Sequence, residues 1–147
     1  MCIRDSPIMS QIWDDENRFK IWFEIEAHAA DEMANEGTIP KEAAKKIWKL
    51  GQFEINRINE IEKETKHDVI AFLTNLSEHI GPEARFLHQG MTSSDVLDTA
   101  LSVQMKQSTD LLLEIVGMKS LPPVYSKIFK SRSNVISSDN DGIPSKP

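Results

Sequence analysis

Two short stretches concentrate side chains that could do chemistry. In "KHDV", Lys66, His67 and Asp68 stand in a row at what reads as a helix start. They offer a cation, a titratable imidazole and a carboxylate able to orient it. In "HQGMTSSDVLDTA", Thr92, Ser93 and Ser94 crowd hydroxyls ahead of Asp95, and Val96, Leu97, Ala100 and Leu101 then open an apolar face at helical spacing. Hydroxyls beside free helix N–H groups make an anion cradle, and a second helix start carrying Lys and His could face the same phosphate or carboxylate. The plainer alternative is that Thr92, Ser93 and Ser94 are caps, Asp68 and Asp95 first-turn acids, and Lys66 a solvated base. Asp95 opposes an anion at that terminus unless it anchors the loop itself. Of the remaining histidines, His28 falls within a helix, His79 near a helix end where a cation suits the dipole, and His88 in a loop.

The elements that must carry these groups read as helices. From Asp14 to Glu36, Phe19, Trp22, Phe23, Ala29, Ala30 and Met33 fall near one face at a period of 3.6, with Asp14 placed to cap and Gly37 to stop. A short helix follows between Pro40 and Gly51, with Ala44, Ile47 and Trp48 as its apolar stripe. Ile55, Ile58 and Ile61, then Val69, Phe72, Leu73 and Leu76, predict two helices joined near Lys66 and ending at Gly81. The Gly81-Pro82 pair reads as a break, followed by the hydroxyl-rich loop. A helix from about Ser94 to about Val116 then places Leu97, Leu101, Ser108, Leu112 and Ile115 on one side. No period-two pattern marks a strand in this region.

Beyond Val116 the character changes. Residues 117–147 hold four of the chain's seven prolines, seven scattered serines, and five bases against two acids. That composition predicts a disordered tail.

A chain of 147 residues allows one ordinary domain. With 17 basic and 23 acidic side chains its net charge is -6, which argues against a general nucleic-acid or anionic-membrane surface but leaves small anionic ligands open. No run reaches the roughly 18 apolar residues of a membrane span, and the opening "MCIRDSPIM" lacks a signal-peptide core, so a cytoplasmic location is expected. The single Cys2 cannot close an internal disulfide, and one cysteine with scattered histidines gives no metal-ligand spacing.

"KHDVIAF" followed by "FLHQGMTSSDVLDTAL", behind the opening helical segment "MSQIWDDENRFKIWFEIEAHAADEMANEGTIP", resembles the amino-terminal part of the adenylosuccinate lyase family, within the fumarase and aspartase superfamily. The resemblance runs from about Pro7 to about Val116. It implies an all-α fold: the amino-terminal helical domain of the superfamily plus the start of a long central-bundle helix. It also implies a lyase of purine nucleotide biosynthesis. Such enzymes eliminate fumarate from adenylosuccinate to give AMP, and from the succinylated carboxamide ribonucleotide on the way to IMP. The family uses no cofactor and no metal. A loop serine removes a proton beside a carboxylate, a histidine protonates the departing nitrogen, and three subunits of a homotetramer build each site. By this resemblance Lys66, His67 and Asp68 contact the nucleotide, His67 in a supporting catalytic role, and Thr92 and Ser93 hold the succinyl carboxylate.

The chain departs from the family pattern at both ends. Ile3 and Arg4 stand in register with an Arg-Tyr pair that reaches the substrate phosphate in the family, so residues 1–6 read as a non-native start. After Val116 the family continues towards a "G-R-[ST]-H-G" motif bearing the acid histidine, whereas this chain runs into "GMKSLPPVYSKIFKSRSNVISSDNDGIPSKP". The expected organisation is therefore a truncated lyase domain over 7–116 and a frameshifted tail over 117–147, inactive alone. The contrasting expectation is a non-enzymatic helical interaction module with a basic regulatory tail.

Overall fold

The computed structural model describes residues 6–117. The expectations for a non-native start and a disordered, frameshifted tail concern stretches that lie, apart from Ser6 and Gly117, outside the described residues. The chain divides between Ser108 and Thr109 into two units. The core and the candidate site both belong to the first; of the second, residues 109–117 are described.

The described residues are helical, without a strand: α1 (Pro7–Ile12), α2 (Asp15–Asn35), α3 (Lys41–Leu50), α4 (Ile55–Thr65), α5 (Asp68–Ile80), a 3-10 helix (Gly81–Phe86) and α6 (Ser93–Ile115). The cap signals in the sequence act where they stand. Asp14 Oδ1 accepts from Asn17 N–H at 2.8 Å and starts α2. Lys66, with φ of 52°, closes α4 in the left-handed region, and His67 immediately caps α5. Gly81 ends α5 at φ 77° and ψ -141°, a conformation that a side chain would strain. The Gly81-Pro82 pair does not break into loop but tightens into the 3-10 turn, because Pro fits the first turn of a helix whose N–H is unpaired there anyway.

An aromatic cluster holds α2 against α5. Phe19 stacks on Phe72 with centroids 5.5 Å apart, and the Trp22 indole meets both rings edge-on at 5.2 and 5.5 Å. Ile47, Ile58, Ile61, Val69, Leu76 and Ile80 complete a core in which α4 packs along α5, and α3 along α2. Fully burying each of these side chains contributes roughly 1.5–3 kcal/mol relative to exposure, so the α2–α5 contact is the mechanical base on which the two helix starts rest.

α6 buries a different side from the one its leucines suggest. Val96, Ala100 and Gln104 are buried, whereas Leu101 and Met105 are exposed. The buried side is read from small and polar residues: Gln104 Nε2 donates to the Ile12 carbonyl at 2.8 Å, and Asn17 Nδ2 reaches both that carbonyl and Gln107 Oε1. These bonds let the part of α6 within the first unit, residues 93–108, lie against the α1–α2 corner without large apolar side chains.

Candidate functional site

The start of α5 and the start of α6 converge. His67 is the N-cap of α5, with Nδ1 accepting from Ile70 N–H at 3.4 Å. Its Nε2 lies 3.4 Å from Ser93 Oγ, in the first turn of α6 and 26 positions away in sequence. Both contacts are at the long end of hydrogen bonding. Capping requires an Nδ1 lone pair, so the neutral ring carries its proton on Nε2 and donates to Ser93. Asp68 Oδ1 stands 3.5 Å from Nδ1 and also accepts from Val69 N–H at 2.7 Å. Protonation of Nδ1 would end the cap but create an ion pair with Asp68. The ring thus has a supporting partner in either charge state, which suits a group that handles a proton.

The hydroxyls differ in what they have left to give. Asp95 Oδ2 accepts from Thr92 N–H at 2.7 Å and from Thr92 Oγ1 at 3.0 Å. The first contact is the return half of a capping box, and Asp95 therefore anchors the loop. The Thr92 N–H bond, followed by the hydroxyl bond and the nearby His88, holds the Asp95 carboxyl below the usual aspartate range. Thr92 has its hydroxyl hydrogen engaged. Ser93, accepting from His67, keeps its own O–H to donate at the start of α6.

Lys66 and Asp68 flank His67. Lys66 is exposed, and its side chain lines a shallow depression on α4 with Asn59, Glu62 and Lys63. Among the described residues no group of three or more His, Cys, Asp or Glu could hold a metal ion, and no helix is long and apolar enough to cross a membrane.

The sequence reading does not single out a polar contact made by a buried acid. Glu26 has a side chain with no exposed surface. Its Oε1 lies 2.7 Å from His88 Nδ1 and its Oε2 accepts from His88 N–H at 2.8 Å. The signal was available: Glu26 continues the spacing of Phe19, Trp22 and Ala30, so an acid stands within an apolar stripe. Removing His88 would leave the buried Glu26 side chain without its partner, which destabilises the fold. The other two histidines have modest surroundings. His79 Nε2 sits 3.7 Å from Glu54 Oε1, and His28 packs edge-on against Trp48 with centroids 5.1 Å apart.

The geometry defines an all-helical domain in which two helix starts, one with an imidazole and one with hydroxyls, share a surface. The sequence profile described as lyase matches residues 3–120, and the chain belongs to that family. It is 52% identical over 108 residues to an adenylosuccinate lyase of Bacillus subtilis, covering 74% of this chain and 25% of the relative. An adenylosuccinate lyase of a Synechocystis species is 39% identical over 141 residues, covering 96% of this chain and 32% of the relative. The crystal structure of a fumarate lyase from a Mesorhizobium species superposes with a TM-score of 0.67 at 25% identity, over 72% of this chain and 26% of that one. The chain spans about a quarter to a third of the length of these proteins.

Proposed function

We propose that residues 7–116 form the amino-terminal domain of an adenylosuccinate lyase and supply one wall of its active site. The observation that carries this reading is the 3.4 Å approach of His67 Nε2 to Ser93 Oγ, which unites the two stretches that match the family. Ser93 donates its hydroxyl hydrogen to the succinyl carboxylate, and Thr92 joins when its hydroxyl turns from Asp95 to the substrate. Lys66, His67 and Asp68 line the nucleotide side, with His67 steadying the proton transfer rather than performing it alone. The full reaction is fumarate-forming C–N elimination, without cofactor, in a cytoplasmic homotetramer whose other segments provide the acid histidine and the base serine. The 147-residue chain by itself is inactive in this account.

The test is a hybrid in which residues 7–116 replace the matching segment of the Bacillus subtilis relative. Release of fumarate from adenylosuccinate within roughly tenfold of the parent, a spread of about 1.4 kcal/mol, is the expected result. A folded, assembled hybrid with no turnover would reject the proposal.

A further inference from the structure

Glu26 is the one fully buried carboxylate side chain among the ion pairs of the described residues, and nothing in the proposed reaction uses it. Its two oxygens are both engaged by one residue, His88, 62 positions later. With Glu26 ionised, its carboxylate accepts and His88 Nδ1 carries the shared proton. The same bonds act on the backbone. His88 has φ of 58°, a left-handed conformation that an imidazole-bearing residue adopts at a cost, and Gly90 follows at φ 71°. From His88 the chain needs four residues to reach Ser93. Its route is therefore fixed at one end by Glu26 and at the other by the Asp95 bonds to Thr92.

We propose that Glu26 is a positioning residue: by clamping the backbone N–H and Nδ1 of His88 it sets the path of residues 88–92 and hence the place of Ser93 beside His67. Glu26 stands on α2, whose Phe19 and Trp22 pack on Phe72 of α5, so one rigid helix references both helix starts. The catalytic value of this arrangement rests on the reading of Thr92 and Ser93 as substrate contacts. The clamp itself does not, and it is testable without substrate.

The experiment is nitrogen-detected NMR of the histidine rings, with amide hydrogen exchange, on the full 147-residue chain. In Glu26→Gln the new side-chain oxygen can accept from His88 N–H while its amide N–H donates to His88 Nδ1. The expected result is a tautomer change: His88 passes from Nδ1-protonated to Nε2-protonated. Both bonds to His88 are thereby re-formed, so the amides of Thr92 and Ser93 and the His67 ring, all unmutated, keep their signals. A general loss of stability would not move a tautomer in the folded state. Two variants at the partly exposed His88 test the placement of Ser93. His88→Asn keeps a side-chain N–H for Glu26 and tolerates a left-handed backbone, so it preserves the Ser93 and His67 signals. His88→Ala displaces them and speeds exchange of the residue 88 amide roughly tenfold or more. Unchanged Ser93 and His67 signals in His88→Ala, or an unchanged His88 tautomer in folded Glu26→Gln, overturn the proposal. If the clamp is upheld while the hybrid lyase has no turnover, the functional reading fails and the clamp stands.

Discussion

His67 and Ser93 meet across 3.4 Å although the chain runs through the whole of α5, the 3-10 turn and a loop between them. Each residue also begins its own helix. A capping role alone would be satisfied by local bonds, and Thr92 with Asp95 shows what such a purely local arrangement looks like. The contact between the two starts is the part that local capping does not require.

Ser93→Ala in the hybrid lyase is expected to weaken substrate affinity roughly 10- to 100-fold, since a hydrogen bond to a charged group contributes about 1.5–3 kcal/mol. Thr92→Val should weaken it less, because the Thr92 hydroxyl already donates to Asp95. Binding of a non-reacting substrate analogue to the folded variants checks both, and equal losses would contradict the division of roles between the hydroxyls.

Asp95→Asn should lower stability at neutral pH and matter progressively less in acid. The folded carboxyl titrates below the ordinary aspartate value of 3.8, chiefly through the Thr92 N–H bond. Its contribution is therefore present above the unfolded value and disappears as pH falls through the depressed folded one. Denaturant midpoints of the two proteins should converge on acidification, and a constant gap down to the lowest pH would argue against the charged anchor.

Lys66→Gly should stabilise the chain by about 1 kcal/mol, because Lys66 closes α4 at φ 52° where glycine is unstrained. In the hybrid the same change should weaken nucleotide binding. Urea midpoints and binding measured on one preparation separate the effects, and a gain in stability with unaltered binding would remove Lys66 from the site.

Much of the helical frame was legible because its signals are local. Asp14 caps α2, Gly81 ends α5, and the isoleucines of α4 face the core as their spacing predicts. The buried side of α6 was not legible, because it is built from Val96, Ala100 and Gln104 and depends on the Ile12 carbonyl, which only the tertiary fold brings near. The Gly-Pro pair reads as a break because both residues also punctuate loops; packing against α3 and α5 selects the 3-10 turn. At the site, the residue types of "KHDV" and "TSSD" are plain in the sequence, which also suggests that the two helix starts face one ligand, while the particular contact of His67 with Ser93 is a product of the tertiary fold. Glu26 was hidden by its neighbours: an acid inside an otherwise apolar periodicity looks like noise until its partner is known.

The purified 147-residue chain should release no fumarate. Its sequence contains no "G-R-[ST]-H-G" segment, and general acid and base groups each contribute roughly 10²- to 10⁴-fold. Fumarate production that copurified with the chain would require a different set of catalytic groups.

The most direct test of the shared site is His67→Ala in the hybrid lyase, with kcat and the melting temperature measured on the same sample. An N-cap contributes about 0.5–2 kcal/mol to the fold, which shifts melting by only a few degrees, whereas loss of a proton-handling group should lower kcat roughly 10²-fold or more. The account predicts that large fall in kcat in protein that remains folded. A variant that melts early but whose folded fraction turns over adenylosuccinate at the normal rate would show that His67 only starts a helix.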